Sequence, residues 1–355
     1  MTLQEAVSNI EPLDQKAMVI AQKRWDSIAK PLHSLGKLET LLTQVAGITG
    51  NADIDLSKRG LVAMCADNGV VEEGVTQTGQ EVTAIVAENF LRYDTSVGVM
   101  CKQNHAEIFP VDMGMVTDTK VRTDHKVAYG TQNMTKGPAM TREQAIKGIE
   151  AGIAMVEELK NKGYKILATG EMGIGNTTTS SCVLAALTKS KASDVVGRGG
   201  GLGDEGLAKK IKVVRKAAAE CEGDDIIDIL AKVGGFDICA MTGAFLGAAY
   251  YRLPVVVDGY ISCVAALSAA KLAPNAVNFM FGSHLSKEQG YKIAAEAIGL
   301  DPYFDLGMRL GEGSGCPINF NIIETACAAM SGMATFEEGA IDADYLAEAE
   351  KGKFF

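Results

Sequence analysis

Lys165–Ser181 reads KILATGEMGIGNTTTSS, and the architecture of the whole chain turns on it. Ile166-Leu167-Ala168 is a short apolar run with the look of a buried strand. Gly170, Gly173 and Gly175 then loosen the backbone. Asn176-Thr177-Thr178-Thr179 supplies side chains able to cap a helix start, and Cys182 to Leu187 continues as that helix. A glycine-rich turn between strand and helix gathers backbone N–H groups at the positive end of a helix dipole, where a phosphate or carboxylate binds. Glu171 sits in the same turn, so the stretch is suited to handle an anion and a proton together. No Gly-Lys-Ser/Thr follows the glycines, and Thr178 takes the third glycine position of a dinucleotide fingerprint, so neither of those motifs applies. A tight βα turn with a capped helix is the plainer alternative.

Working outward, the same alternation repeats. Leu61–Cys65 is an apolar strand ending in Asp67-Asn68-Gly69, and Thr78-Gly-Gln-Glu81 is a capping box opening a helix that carries Val82, Ile85, Val86 and Phe90. Ala106–Val111 predicts a second strand, ending in Asp112-Met113-Gly114. Residues 115–140 are irregular and polar, a surface excursion, before Thr141-Arg-Glu-Gln144 caps the next helix. After the central stretch, Gly201, Gly203 and Gly206 satisfy G-x-G-x-x-G. No strand leads into them and Asp204-Glu205 would repel pyrophosphate, so they read as a loop into a basic helix. Phe236–Tyr251 and Tyr260–Ala270 are helices rich in small residues. Leu253–Val257 and Val277–Phe281 are strands, and Ser286 caps the helix that follows. Ahead of all strands, two helices carry Met18, Ala21, Trp25, Ile28 and Leu35, Leu38, Leu41, Leu42, Val45. The pattern predicts an α/β fold, a doubly wound, mainly parallel sheet.

Each predicted strand ends in small or polar residues: Asp67-Asn68-Gly69, Asp112-Met113-Gly114, Gly170-Glu171, Asp258-Gly259 and Ser283-His284. Ligands bind beyond the carboxyl ends of such strands, so these residues are expected to line one crevice, unless Ser283 or Asp112 caps a helix instead. Met308–Gly315, MRLGEGSG, is a second chemical element: Glu312 held between Gly311, Gly313 and Gly315, ahead of the helix Asn319–Met330. Flanking glycines let the backbone approach a ligand, and apolar surroundings raise a carboxylate's pKa into the range of a general base. An ordinary exposed glutamate in a loop is the alternative.

Composition narrows the class. The chain has 355 residues, 47% hydrophobic, with 39 glycines and 8 prolines, and it suits a compact α/β enzyme. A formal net charge of −10 argues against nucleic acid or an anionic membrane surface as partner. The eight cysteines (65, 101, 182, 221, 239, 263, 316, 327) form no C-x-x-C and no His-Cys cluster, so neither a metal site nor a disulfide framework is expected. Without a leader-like N-terminus or a long uncharged apolar run, a cytoplasmic protein is expected.

Lys30-Pro31, Ser34–Glu39, Cys65–Val70, Gly170–Thr178, Val233–Asp237, Asp258-Gly259, Ser283-His284 and Arg309–Gly315 together resemble the nicotinate-nucleotide–dimethylbenzimidazole phosphoribosyltransferase family of cobamide biosynthesis, nearly end to end. The resemblance implies transfer of 5-phosphoribose from nicotinate mononucleotide to an aromatic base, without a cofactor. It makes Glu312 the catalytic base, puts Glu171 in the active site, and gives Lys210 and the backbone near Gly173, Gly175, Asn176 and Thr177 to the nucleotide phosphate. Asp258, Gly311, Gly313 and Ser314 join the substrate-binding set, and Thr78, Val86 and Met172 the base pocket. A Rossmann-like large domain (51–300) is implied, with a small helical domain drawn from both chain ends (1–50 and 301–355). A homodimer, or a heterodimer with a paralogue, is implied too. Family members often carry His at the position of Asn68, and Ser and Gln at those of Thr78 and Val86. The base pocket here is therefore more apolar, and the acceptor stays open between benzimidazole, purine and phenol. A catalytically weak, nucleotide-binding paralogue and a nicotinamide-dinucleotide dehydrogenase are the alternatives.

Overall fold

In the computed structural model, which describes residues 1–343, five parallel strands form one sheet in the order β2-β1-β3-β4-β5. They are β1 (Arg59–Ala66), β2 (Ala106–Gly114), β3 (Ile166–Met172), β4 (Val255–Val257) and β5 (Met280–Gly282). The register sets Leu61 beside Ile108 on one side and Ala168 on the other, then Leu167 beside Val255 and Val256 beside Phe281. Every residue of β1 and β3 is buried, as a parallel sheet covered on both faces requires. The α/β, doubly wound reading is correct, and the order reverses at β1, so the crevice between β1 and β3 is the switch point.

Two compact units divide the chain: Met1–Glu11 with Ser57–Asn319, and Pro12–Leu56 with the residues from Phe320 onward. The sheet belongs to the first. The second holds the helices Gln15–Ser27 and Lys37–Thr49, with Trp25, Leu41, Leu42 and Val45 fully buried. Its C-terminal part is tied by Arg24, which donates to the carbonyls of Met330 and Met333 (3.0 and 2.8 Å), while a buried Lys30–Glu39 ion pair (2.8 Å) holds the N-terminal segment to itself. Any helix expected past residue 343 lies outside the described residues.

In the first unit, helix Arg142–Asn161 starts with the predicted box: Gln144 N–H donates to Thr141 Oγ1 (3.1 Å) and Thr141 N–H to Gln144 Oε1 (2.9 Å). It packs on helix Phe236–Tyr250 almost backbone to backbone. A Cβ on Gly152 would overlap the carbonyl of Ala240, and one on Gly243 that of Ile149. Among the described residues, no helix is long and apolar enough to cross a membrane.

Four local expectations need correction. Thr78 and Glu81 form no box. The helix is Glu81–Arg92, entered through Gln80 without a side-chain cap; its buried side is Thr83, Ala84, Ala87 and Phe90, while Ile85 is 57% exposed. Val277 to Phe279 belong to a 3₁₀ turn begun by Pro274, and only Met280–Gly282 pairs as a strand. Ser286 does not cap the helix Tyr291–Ile298, which begins after Gly290; its hydroxyl accepts from the N–H of Glu288 (3.3 Å). Residues 115–140 are irregular and mostly at the surface, as expected, but the segment is anchored rather than a free excursion. Met115, Val121, Met134, Ala139 and Met140 are buried, and the segment folds over the ends of β1 and β2. Thr131 N–H donates to the Asp67 carbonyl and Val127 N–H to that of Met113 (3.1 and 3.0 Å).

Candidate active site

β3 runs through Glu171 to Met172, so the glutamate is the penultimate strand residue, and the turn Gly173–Gly175 delivers the chain into helix Asn176–Thr188. Gly175 takes the cap position at φ +95°, a backbone region that disfavours side chains. No side chain caps this helix. Asn176, expected to do so, instead donates its amide to two buried carboxylates, Glu171 and, at 3.1 Å, Asp237. That leaves the helix N-terminus open toward the cavity in front of it.

Lys210, from helix Asp204–Ala219, reaches the same place. It is 1% exposed and donates to Thr177 Oγ1 (2.7 Å) and the Gly197 carbonyl (3.3 Å). Burial pulls its ammonium down to about 8, against the pull of the Glu288 carboxylate in the other direction. A buried cation beside a helix N-terminus is a receptor for a dianion.

The Glu312 loop closes another side. Glu312 has φ +62°, between Gly311 and Gly313, each at +88°. Its N–H donates to Glu171 Oε1 (3.0 Å), while Gly313 and Gly315 N–H donate to the two oxygens of Asp258 (3.1 and 2.8 Å). Glu312 Oε2 is buried and has no hydrogen-bond partner among the described residues. Burial, and then the Asp258 charge, raises the Glu312 pKa. Burial pushes Glu171 up to about 8, with Asp237 and Asp258 acting the same way and the N–H donors of Glu312 and Asn176 opposing. Asp237 is pushed up to about 7, again chiefly by burial.

These groups border one cavity of about 610 Å³ in the first unit, within the size range of small-molecule sites. Glu171, Glu312, Gly173, Gly175, Asn176 and Thr177 line it, as do Lys210, Asp258 and Gly311. So do Thr78 and Met172, from the expected base pocket. Three expected residues do not. Val86 sits half-buried on its helix away from the cavity, Gly313 spends its N–H on Asp258, and Ser314 is 1% exposed beneath the loop.

The single crevice expected along all strand ends is also corrected: only β3 and β4 contribute their ends. Asp67 accepts from Val116 N–H (2.8 Å), and Asp112 from Met115 N–H (2.7 Å) while pairing with Lys126 (3.0 Å), so the 115–140 segment occupies the β1 and β2 ends. Asn68 donates to the Ile174 carbonyl (3.4 Å). At β5, Ser283 and His284 are sealed by the chain at Tyr303-Phe304, which bridges to His284. His284 lies 3.8 Å from Asp258.

Sequence reasoning assigned no role to Asp237, Glu288 or Arg309. Glu288 and Arg309 line the cavity, and Glu288, raised by burial, accepts the N–H of Gly199. A charged residue inside the otherwise apolar Phe236–Tyr250 was a readable signal for Asp237; Glu288 and Arg309 carry none. Among the described residues, no group of three or more His, Cys, Asp or Glu is placed to hold a metal ion.

Comparison with known proteins shows the family. Residues 10–341 match the profile of a family described as phosphoribosyltransferase. The nicotinate-nucleotide–dimethylbenzimidazole phosphoribosyltransferase of Clostridium perfringens is 49% identical over 352 residues, 98% of either chain. That of Clostridium tetani is 46% identical over 351 residues, covering 98% of this chain and 97% of its own. The crystal structure of CobT from Thermus thermophilus superposes with a TM-score of 0.88 at 36% identity, over 92% of this chain and 99% of that one. With the sheet, the open helix N-terminus and the caged glutamate all in place, the chain belongs to the nicotinate-nucleotide–dimethylbenzimidazole phosphoribosyltransferase family.

Proposed function

We propose that this chain moves 5-phosphoribose from nicotinate mononucleotide to an aromatic base, releasing nicotinate and an α-riboside 5′-phosphate for cobamide biosynthesis. The names of its relatives support the reaction. The observation that carries the assignment of the base is Glu312 Oε2: buried, without a hydrogen-bond partner among the described residues, on the cavity that also holds Lys210. The alternative of a weak, nucleotide-binding paralogue has no support in the comparisons.

The chemistry follows from the groups present. The donor phosphate sits against Lys210 and the N-terminus of helix Asn176–Thr188. The pyridinium leaving group is already cationic, so nicotinate departs with the C1′–N bond electrons and needs no proton. The acceptor does need help: as its heteroatom attacks C1′ from the opposite face, inverting β to α, Glu312 takes the acceptor proton. A raised pKa suits that task, and such general-base catalysis contributes roughly 10²–10⁴-fold. Glu171 stands beside the developing oxocarbenium. The positive charge offsets the burial that otherwise keeps this group protonated, and its two N–H donors favour the carboxylate. Thr78, Met172 and Leu310 make the acceptor wall, largely apolar with a pliable thioether. The same reading takes the second unit, which holds less than the expected 1–50 and 301–355 because Met1–Glu11 and the Glu312 loop belong with the sheet, as the small helical domain, and the enzyme as a cytoplasmic homodimer, with pairing to a paralogue visible as a heterodimer by light scattering.

Glu312→Gln tests the assignment. Turnover is expected to fall by roughly 10²–10⁴-fold, with the calorimetric affinity for nicotinate mononucleotide kept within about two-fold. A variant working at the parental rate removes Glu312 from the mechanism. A panel of benzimidazoles, purines and phenols identifies the acceptor.

A further inference from the structure

Asp258 was expected to bind substrate. It is 2% exposed, and both oxygens are engaged by the Glu312 loop, Oδ2 by the N–H of Gly313 (3.1 Å) and Oδ1 by that of Gly315 (2.8 Å). The neighbouring N–H, that of Glu312, goes to Glu171 (3.0 Å). Three amides within four residues are thus held by two carboxylates. The loop needs such restraint, because Gly311, Glu312 and Gly313 all have left-handed φ (+88°, +62°, +88°), and for a glutamate that conformation persists only where its surroundings enforce it. The far side is fitted just as closely. Gly170 lies so near the Glu312 carbonyl that an added Cβ would come within 2.5 Å of it. Asp258 is fixed in turn: its own N–H donates to Ser262 Oγ (3.2 Å), and His284 lies 3.8 Å from its carboxylate.

We propose that Asp258 is a positioning residue, whose carboxylate clamps the backbone at Gly313 and Gly315 and so sets where the Glu312 side chain meets the acceptor. This rests on Glu312 being the base. Asp258→Asn keeps the shape but offers one acceptor oxygen in place of two, and turns an amide donor on the second loop N–H. Misplacing a reacting group by about 1 Å costs on the order of 10²-fold, so kcat is expected to fall roughly 10–100-fold, with the KM for nicotinate mononucleotide within about two-fold of the parent. In a Glu312→Gln background the same change is expected to cost less than about two-fold, because there is no longer a base to aim. An equal loss in both backgrounds, or a loss carried by KM, overturns the proposal and returns Asp258 to substrate binding. Failure of the base assignment itself is seen separately, as parental activity of Glu312→Gln alone. Hydrogen exchange on the unaltered enzyme gives a test that needs no variant to fold. Without any ligand, the amides of Gly313 and Gly315 are expected to exchange at least about 10²-fold slower than in an unstructured peptide, and unprotected exchange refutes the clamp.

Discussion

Lys210→Met should make the ligand-free protein more stable while crippling its hold on the donor nucleotide. Burial takes the ammonium from its ordinary 10.5 to about 8. At roughly 1.36 kcal/mol per pH unit, that is about 3 kcal/mol against the charged form in the folded state. Methionine removes this cost, but also the hydrogen bonds to Thr177 Oγ1 and the Gly197 carbonyl, each worth about 1 kcal/mol net. The balance is a gain of about 1 kcal/mol near pH 7, or roughly 2–4 °C in Tm for a unit of this size. The pH dependence gives a second signature. Between about 8 and 10.5 the unfolded chain keeps a proton on Lys210 that the folded chain has shed, so parental stability rises with pH across that window. Below the window the whole penalty of the buried charge is felt, and the variant lacks the rise. Nucleotide binding moves the opposite way: losing a buried cation from a phosphate costs on the order of 3 kcal/mol, about 10²-fold in Kd by calorimetry. A variant that melts lower than the parent at pH 7 yet binds nicotinate mononucleotide with parental affinity would refute the reasoning on both counts.

Gly170→Ala places a methyl group within 2.5 Å of the Glu312 carbonyl and 3.0 Å of the Leu61 side chain. Overpacking of this kind costs about 1–3 kcal/mol; because the displaced group is the Glu312 loop, kcat in a steady-state assay is expected to drop at least about ten-fold, and unchanged kcat would show that the loop yields freely. Thr141→Ala removes one arm of the capping box on Arg142–Asn161, far in sequence from the site. A loss of about 1 kcal/mol in denaturant unfolding is expected, with turnover unaltered.

The alternation of apolar runs and glycine-punctuated ends made the parallel sheet legible, because β1 and β3, buried on both faces, have nothing but apolar and small residues to spend on most of their length. The glycine cage around Glu312 and the turn after β3 were legible for a related reason: left-handed backbone and close approach leave glycine as their mark. What escaped was decided by distant chain. The ends of β1 and β2 look like ligand-binding ends, and nothing local says that residues 115–140 will fold back over them. Asn176 reads as a helix cap; only the arrival of Asp237, sixty-one residues later, gives its amide a second carboxylate. Val86 has the spacing of an inward residue, yet small Ala84 and Ala87 are the ones buried, letting their helix sit close to the sheet.

The glycines where Arg142–Asn161 meets Phe236–Tyr250 have a consequence for how this enzyme can diverge. Two main chains that touch directly have no rotamers between them to soak up an error, so a single methyl at 152 or 243 must be answered by sliding one helix along the other. Asp237 rides on the first turn of the sliding partner, and through Asn176 it is joined to Glu171. Given the proposed acceptor wall, drift in acceptor preference can proceed by repainting the mouth around Thr78 and Leu310, while the seam between these two helices acts as a keel that selection cannot trim without steering the acids as well.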